Sequence, residues 1–302
     1  MKVIFLSDLH LAWETPIGRL DSVADAGLKK MTFIDEYAER NKIDTALLAG
    51  DVFDVKRSWF LLDMYTKFFS SAHLKYYAVR GQHDSYYHSL VDTTTIFGVL
   101  ENAGLIRRLY NNKVFKYKSI NVYGASYGEP VPKIFTHGFN ILVIHKQILM
   151  KKIWSGQEDY TDARELIQNT DFDVILCGDA HQKFLHRTSF GRVICNTGPL
   201  MRLEATDSMI KHQPEFFVFD TDDSSIERVL IPCRPAKEVL TRKHLEEKQH
   251  RSDILSKFID SALMQRTGTV SFDKNLKRYI LKNNVSGRVR KILSDTYTRS
   301  GE

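Results

Sequence analysis

The stretch "LCGDAHQKF" (residues 176–184) ends an apolar run abruptly in Gly-Asp, with a histidine two positions after the aspartate. An earlier stretch, "LLAGDVFD" (residues 47–54), has the same arrangement. Both apolar runs are typical of buried strands, where a carboxylate is costly unless it is paired or bound to a metal ion. The two stretches therefore predict ion pairs or a metal site at the ends of two buried strands.

The order of patterns along the chain places these stretches in an α/β fold. The first half has strand-like runs that end at residues 8, 51 and 84, and helical periodicity at residues 19–41, 59–72 and 90–103. This alternation favours a layered fold with a largely parallel sheet. The second half is richer in strand patterns. We therefore expect two stacked mixed β-sheets flanked by helices.

The chain changes character after Pro232 and Pro235, which mark a predicted boundary. We expect a first domain at residues 1–235 and a helical C-terminal extension at residues 236–302. The extension has 15 Lys and Arg against 8 Asp and Glu, whereas the rest of the chain has 28 against 29. A basic extension suits DNA or an acidic partner, although a solvated helical surface would have the same composition.

No apolar run approaches the length of a membrane span, so no membrane association is expected. The N-terminal stretch MKVIFLSDLH reaches Asp8 too early for the apolar core of a secretory signal. The expected location is therefore the cytoplasm.

Five clusters of chemically active residues each follow an apolar strand pattern. They are SDLH with Asp8 and His10, GDVFD with Asp51 and Asp54, GQHD with Gln82, His83 and Asp84, VIH with His145, and GDAH with Asp179 and His181. Because ligands of α/β sheets bind at the carboxyl ends of strands, we expect the clusters to converge on one site. Oxygen and imidazole ligands without thiolates suit Mn, Fe, Zn or Mg. Their number suffices for two ions that share a bridging carboxylate.

The ordered series DxH…GDxxD…GQHD…H…GDxH resembles that of the calcineurin-like metallophosphoesterase superfamily, whose usual pattern is DxH…GDxxD…GNH(D/E)…H…GHxH. The resemblance covers about residues 3–230. It implies a four-layer α/β/β/α fold and a binuclear metal-dependent phosphoesterase. It also implies two divalent metal ions, with Mn²⁺ expected first and Mg²⁺ or Fe²⁺ as alternatives.

Within the superfamily, the chain is most similar to SbcD-type DNA nuclease subunits and their phage relatives. The similarity rests on RGQHD after a strand, on NTGPLMR (residues 196–202) after the last metal motif, and on the charged helical extension. It implies an exonuclease or endonuclease that cleaves DNA within a recombination or repair complex. The implied partners are DNA and a coiled-coil ABC-type ATPase of the SbcC kind. The resemblance also leaves open whether the chain forms a homodimer. If the protein is encoded by a phage, it would act in the host cytoplasm.

The resemblance also assigns roles to the motif residues. The first metal ion would be held by Asp8, His10, Asp51 and His181. The second would be held by Asp51, Gln82, His145 and Asp179, so that Asp51 bridges the two ions. The ions would activate water, orient the phosphodiester and neutralise developing charge.

Residues near the GQHD motif would act on the substrate. His83 would serve the leaving oxygen as general acid or charged hydrogen-bond donor, and Asp84 would fix its tautomer. Arg57 and Arg80 are candidate phosphate contacts because guanidinium groups match phosphate oxygens, and a surface ion pair is an equal alternative for both. His88 is a further candidate contact to substrate.

Two positions depart from the family pattern, and both belong to the second metal site. Gln82 stands where the family has Asn, and Asp179 stands where it has the first His of GHxH. Each can still offer an oxygen ligand. The additional carboxylate would leave less positive charge on the pair of ions, which should weaken their Lewis acidity and favour Mn²⁺ or Mg²⁺.

Two other functions remain open at this point. A small-molecule phosphodiesterase or a phosphatase uses the same scaffold, since function lies in the surroundings of the site rather than in the fold. A non-catalytic scaffold with a degraded metal site would explain Gln82 and Asp179, although the other motif residues are intact.

Overall fold

The computed structural model describes residues 1–86, 89, 93–264, 272–283 and 285–299. The chain divides into two compact units, Met1–Thr241 and Arg242–Glu302. The first unit contains the strands, and the described part of the second is helical.

Short strands make up most of the first unit. In chain order they are β1 (Lys2–Leu6), β2 (Thr45–Leu48), β3 (Lys75–Ala78), β4 (Ile106–Arg108), β5 (Phe115–Tyr117), β6 (Ile120–Ala125), β7 (Phe139–His145), β8 (Ile148–Leu149), β9 (Thr161–Asp162), β10 (Val174–Gly178), β11 (Phe184–Arg187), β12 (Val193–Asn196), β13 (Glu215–Asp220) and β14 (Ile226–Leu230). They form two six-stranded sheets and a small pair, β8 with β9.

Both large sheets are mixed, as the sequence predicts. The first has the order β14-β13-β1-β2-β3-β4, in which β1 to β4 run parallel and β13 and β14 are antiparallel. The second has the order β11-β12-β10-β7-β6-β5, with parallel strands at its centre and an antiparallel strand at each edge. The carboxyl ends of the central strands therefore share one side of each sheet.

Helices cover the outer faces of the sheets, with α1 (Val23–Arg40), α2 (Trp59–Ser71) and α3 (Ile96–Asn102) on the first sheet and α4 (Ala163–Gln168) on the second. Two further short helices, α5 (Asp207–Lys211) and α6 (Ala236–Val239), contact each other. Alternation along β1 shows the layering, because Val3 and Phe5 pack between the two sheets while Ile4 and Leu6 pack against the helical side. A third apolar cluster lies between the second sheet and α4. The result is the expected four-layer α/β/β/α arrangement.

Capping residues decide where two of the predicted helices begin. Ser22 accepts a hydrogen bond from the Asp25 amide, so α1 begins at Val23 rather than at residue 19. Thr95 caps α3 in the same way through the Gly98 amide, so this helix begins at Ile96 rather than at residue 90. Hydroxyl caps satisfy amides that have no partner within the helix.

The first unit extends beyond the boundary predicted at Pro235. The Leu20 amide donates to the Val239 carbonyl at 3.0 Å, and the Thr241 amide donates to the Gly18 carbonyl at 2.8 Å. These bonds tie the segment that contains α6 to the loop before α1. The basic extension therefore begins at Arg242 in the structure.

The described part of the second unit consists of α7 (Lys243–Met264), α8 (Phe272–Lys282) and α9 (Gly287–Arg299). The Phe258 ring on α7 contacts the Tyr279 ring on α8, with centroids 4.8 Å apart. None of the helices within the described residues has both the length and the apolar character needed to span a membrane.

Candidate active site

The five sequence clusters meet at the carboxyl ends of the parallel strands. Asp8 lies just after β1, Asp51 just after β2, and the GQHD cluster just after β3. His145 ends β7 and Asp179 follows β10 in the second sheet. Both sheets therefore contribute side chains to the same site.

Two glycines let the sheets approach each other at this edge. A Cβ atom at Gly50 would lie 2.4 Å from His145 Nδ1, and one at Gly178 would lie 2.2 Å from the Ala49 carbonyl oxygen. Such distances are far inside van der Waals contact, so no larger residue fits either position. In each Gly-Asp pair, the glycine thus allows the two sheets to approach closely, and the aspartate offers an oxygen ligand.

The candidate ligands include residues with left-handed backbone. The φ angles are +48° at Asp8, +45° at His10, +46° at Asp51 and +85° at Asp179. This conformation costs a non-glycine residue about 1–3 kcal/mol and persists only where the surroundings enforce it. The left-handed conformation turns the backbone sharply after each strand. Strained residues of this kind are typical of a functional site.

The first group of ligand atoms surrounds His10. Its Nδ1 donates to Asp54 Oδ1 at 3.1 Å, which leaves Nε2 3.0 Å from Nε2 of His181. Burial lowers the pKa of His181 to about 4, so that its imidazole is neutral. Asp51 Oδ2 lies 4.0 Å from His10 Nε2. Two imidazole nitrogens and a carboxylate therefore face one position.

The second group surrounds His145. Its Nδ1 donates to the Ala49 carbonyl at 2.6 Å, and its Nε2 lies 2.7 Å from Gln82 Oε1 and 3.4 Å from Asp51 Oδ2. Gln82 Nε2 donates to Asp179 Oδ1 at 2.9 Å. Burial lowers the pKa of His145, but the hydrogen bond and charge of Asp51 outweigh it and raise the pKa to about 10. The surroundings of Nε2 thus favour a positive charge.

The donor set fits divalent cations. Asp8 Oδ2 is buried and has no hydrogen-bond partner within the described residues, which is costly for a carboxylate. Burial also raises the pKa of Asp8 to about 7. Ligand atoms lie within 4.8 Å of one another in three groups, Asp8 with His10 and His181, His10 with Asp51 and His83, and Asp8 with Asp51 and His145. Carboxylate and imidazole suit Mn, Fe or Zn.

The structure brings together all seven predicted metal ligands. Asp51 contacts both groups, as expected of a bridging carboxylate. A pair of divalent cations, when bound, supplies water activation and neutralises charge on the phosphoryl oxygens.

His83 lies beside the ligands and is 37% exposed. Its amide donates to Asp51 Oδ1 at 2.9 Å, and its Nδ1 lies 3.2 Å from the Asp54 carbonyl oxygen. Because a carbonyl oxygen only accepts, Nδ1 carries a proton and Nε2 is the nitrogen left for a substrate. The position suits the predicted role of His83 at the leaving oxygen.

Asp84 does not fix the His83 tautomer as predicted. Its buried carboxylate accepts hydrogen bonds from the amides of Gly81, Val52 and Phe53 at 3.0, 3.2 and 3.1 Å. It therefore holds the loop after β2 against the loop after β3. The Asp54 carbonyl oxygen, rather than Asp84, accepts the hydrogen bond from His83 Nδ1.

The three predicted substrate contacts differ in their surroundings. Arg80 is 1% exposed, pairs with Glu101 at 2.7 Å and lies over the Phe97 ring, so it is a buried structural ion pair rather than a phosphate contact. Arg57 is exposed, and its guanidinium lies 4.8 Å from the centroid of the Tyr86 ring. His88 lies outside the described residues.

Sequence reasoning missed the residues that hold the ligand loops in place. Asn196 Nδ2 donates to the Ala180 carbonyl at 2.7 Å, between Asp179 and His181. Ser7 donates from its hydroxyl to the Cys177 carbonyl at 2.7 Å and from its amide to Thr197 Oγ1 at 2.8 Å. The NTG turn that starts at Asn196 was the available signal, since it follows the last metal motif.

Carboxylates and imidazoles from two stacked sheets form the kind of donor set that metallohydrolases use for divalent cations. The calcineurin-like phosphoesterase superfamily domain matches residues 1–224, and the chain belongs to this superfamily. It is therefore a metal-dependent phosphoesterase, in a superfamily that typically binds two divalent metals.

Two solved structures are similar to the chain in fold. One, described as a novel archaeal phosphodiesterase, is 12% identical with a TM-score of 0.44, and the match covers 76% of this chain and 100% of that one. The other, from Thermus thermophilus, is 12% identical with a TM-score of 0.47, and the match covers 76% of this chain and 99% of that one. No curated protein matches the sequence significantly.

Proposed function

We propose that the chain is a DNA nuclease of the SbcD type, the catalytic subunit of a recombination or repair complex. An exposed aromatic pair carries the proposal. The Trp13 and Phe60 rings stack with centroids 4.6 Å apart, although the residues are 38% and 62% exposed. Trp13 follows His10 by three residues, and Phe60 lies near the start of α2, after the GDVFD loop. Exposed aromatic rings on the segments that follow two of the metal motifs suit the bases of an unpaired DNA strand.

Arg57 supports the same proposal. It lies between the GDVFD loop and α2, and its Nη2 donates to Thr94 Oγ1 at 2.6 Å. Because it is exposed and lies three residues after Asp54 of the GDVFD motif, it is suited to a backbone phosphate. A strand would then offer its phosphates to Arg57 and its bases to the Trp13 and Phe60 rings.

Within this proposal, Asp54 positions two histidines by different atoms. Its carboxylate accepts from His10 Nδ1 and its carbonyl from His83 Nδ1. His10 thereby presents Nε2 to a metal ion, and His83 presents Nε2 to the leaving oxygen. The imidazolium form of His83, with a proton on each nitrogen, would donate its Nε2 proton to the 3′ or 5′ oxygen as the bond from phosphorus to that oxygen breaks and a water oxygen bonds to phosphorus. Mn²⁺ is the proposed metal, with Mg²⁺ or Fe²⁺ as alternatives.

The helical unit supplies the proposed partner surface. Exposed apolar residues are found along α7 and α8, including Ile254, Leu255, Ile259 and Leu281. Apolar side chains on exposed helices suit docking onto another helical protein. A coiled-coil ABC-type ATPase is the proposed partner, and the basic residues of the unit would add contacts to DNA phosphates.

The test is Mn²⁺-dependent cleavage of labelled single- and double-stranded DNA by the purified chain. His83→Ala should abolish cleavage while two metal ions remain bound, and the matched control His137→Ala, at an exposed position, should cleave normally. Trp13→Ala should weaken single-stranded DNA binding while hydrolysis of a small phosphodiester is kept.

Other outcomes point to the alternatives. Hydrolysis of a cyclic nucleotide or a phosphoprotein without DNA cleavage would replace the nuclease by a small-molecule phosphodiesterase or a phosphatase. Failure to hydrolyse any phosphoester with fewer than two metal ions bound would favour the non-catalytic scaffold.

A further inference from the structure

A cavity of about 500 Å³ lies beside the start of α1, and none of the candidate metal ligands lines it. Three basic residues in its wall are almost fully buried, Arg19 at 8% exposure, Lys30 at 7% and Arg202 at 6%. Buried cations are costly unless a counter-charge and hydrogen bonds compensate them. The wall of the cavity therefore carries a concentration of buried positive charge.

Few protein groups compensate the positive charge of Lys30. Its ammonium group donates to the Leu200 carbonyl at 2.6 Å and lies 3.5 Å from Met201 Sδ. Within the described residues no carboxylate forms an ion pair with it. Burial, with a smaller contribution from the charges of Arg19 and Arg202, lowers its pKa to about 7. An ammonium group has three N–H donors, so Lys30 can still bind a ligand.

The two arginines are anchored by backbone oxygens. Arg202 donates from Nε to the His212 carbonyl at 2.7 Å and from Nη1 to the Arg234 carbonyl at 2.9 Å. Its hydrogen bonds within the described residues leave Nη2 for a ligand. Arg19 donates to the Arg202 carbonyl at 2.8 Å and pairs with Asp21 at 2.6 Å. One carboxylate thus faces three buried cations.

The rim of the cavity adds to the positive charge. Lys29 and Arg234 lie there with Asp25, the second carboxylate of the lining, and Arg234 also pairs at 3.4 Å with Glu238, which does not line the cavity. The lining therefore carries five basic and two acidic side chains. Guanidinium and ammonium groups held in fixed positions bind phosphate oxygens through charge-assisted hydrogen bonds. The volume exceeds what a bare phosphate ion needs and lies within the range of small-ligand sites.

We propose that this cavity binds the phosphate group of a phosphate monoester, at a site separate from the metal centre. The inference does not depend on the proposed nuclease activity. Two sources of the monoester share this chemistry, a free nucleotide and the phosphorylated end of a DNA strand. The cavity adjoins the catalytic loops, because Lys30 holds the Leu200 carbonyl and the Leu200 amide donates to the Asp8 carbonyl at 3.0 Å.

The test is isothermal titration calorimetry on the full chain, both metal-loaded and treated with a chelator to suppress binding at the metal centre. The probes are inorganic phosphate, a deoxynucleoside 5′-monophosphate, and a short oligodeoxynucleotide with and without a 5′-phosphate. The chelator-treated chain should bind one monoester. Lys30→Met should lower the affinity about tenfold or more, because a charge-assisted hydrogen bond is lost.

Matched variants keep the test decisive. Lys67→Met, at an exposed position on α2, should bind as the wild type does. Arg234→Gln changes a rim residue that is 61% exposed, so it leaves the fold intact, and it should weaken binding even if Lys30→Met fails to fold. Equal affinity for the nucleotide and the phosphorylated oligonucleotide would identify a free nucleotide, and a strong preference for the latter would identify a DNA end.

Two results would overturn the proposal. One is the absence of any monoester binding to the chelator-treated chain. The other is binding that neither Lys30→Met nor Arg234→Gln weakens, since the phosphate would then lie elsewhere. Neither result bears on DNA cleavage, which His83→Ala tests separately.

Discussion

The Nε2 atoms of His10 and His181 lie 3.0 Å apart, with the ring planes at 84° to each other. His10 reaches this position from the loop after β1, and His181 from the loop after β10 in the other sheet. Nδ1 of His10 donates to Asp54, and the imidazole of His181 is neutral. With one proton between them, the two Nε2 atoms form a hydrogen bond, and with both unprotonated they would repel each other unless a cation lies between them. The pair thus joins the two sheets at a candidate metal position.

Asp54 should control metal affinity without binding the metal. Asp54→Asn removes the charge that polarises His10 while the size of the side chain stays the same. Loss of such a supporting carboxylate typically lowers metal affinity about 10–100-fold. Competition with a fluorescent chelator would measure the Mn²⁺ dissociation constants of the variant and the wild type.

Asp63→Asn is the matched control, because Asp63 is 66% exposed and pairs only with Lys67 among the described residues. It should bind Mn²⁺ with wild-type affinity. An Asp54→Asn chain that also kept wild-type affinity would show that His10 does not need this carboxylate.

The close approach of two strand ends predicts a strong effect at Gly81. A Cβ atom there would lie 2.0 Å from Asp51 Oδ1 and 2.5 Å from the Asp51 amide nitrogen. Gly81→Ala should therefore displace Asp51, lowering the free energy of unfolding by about 1–3 kcal/mol or more and reducing metal uptake. Urea unfolding and metal analysis would measure both effects.

Gly287→Ala serves as the comparison, since among the described residues, apart from its chain neighbours and its own helix backbone, no atom lies within 4 Å of a Cβ atom at Gly287. Alanine is also the better helix former, so this variant should be at least as stable as the wild type. Equal stability of the two variants would contradict the packing seen around Gly81.

Lys30 predicts an unusual dependence of stability on pH. Its pKa is about 7 in the folded chain against 10.5 for an ordinary lysine. Between these values the unfolded chain binds the proton more tightly, so the free energy of unfolding rises with pH, by up to about 1.4 kcal/mol per pH unit. Below about pH 7 both states are protonated and this contribution stays constant.

The measurement compares urea unfolding of the wild type and of Lys30→Met at pH 7.5 and 9.5. The wild type should gain more stability over this interval than the variant, in which the titrating group is absent. Identical slopes would mean that Lys30 keeps an ordinary pKa, which would conflict with its burial.

The sequence predicted those parts of the site that depend on local patterns. Asp8, Asp51 and Asp179 each follow an apolar run directly, and the topology of an α/β sheet brings such strand ends together. The role predicted for Asp84 was wrong, and the choice between a phosphate contact and an ion pair stayed open for Arg80, because both depend on contacts between distant segments. Asp84 accepts hydrogen bonds from amides of the loop after β2. Arg80 donates to Glu101, which lies 21 residues further along the chain. No spacing in the sequence encodes these contacts.

The cavity beside α1 lay beyond sequence reasoning for the same reason. Lys30 falls within a periodic helical pattern and would ordinarily be assigned to the solvent face. It is buried because the chain returns at Leu200 and Met201 to cover it. Burial of a charge follows from the arrangement of remote segments rather than from helical periodicity.

Asp179 provides the last prediction, which concerns the choice of metal. Its carboxylate accepts from Gln82, and its amide donates to Asp8 Oδ1 at 2.8 Å, so the side chain sits among the ligands of both groups. Asp179→His would replace an anionic oxygen ligand by a neutral nitrogen, which leaves more positive charge on the ions and favours softer metals. The ratio of Zn²⁺ to Mn²⁺ affinity should therefore rise about tenfold, a change of about 1.4 kcal/mol. Gln82→Asn, which shortens a ligand without changing its charge or donor atom, should leave this ratio nearly constant. If Asp179→His kept the wild-type ratio and the wild-type rate of phosphodiester hydrolysis, the carboxylate of Asp179 would have no part in metal selection.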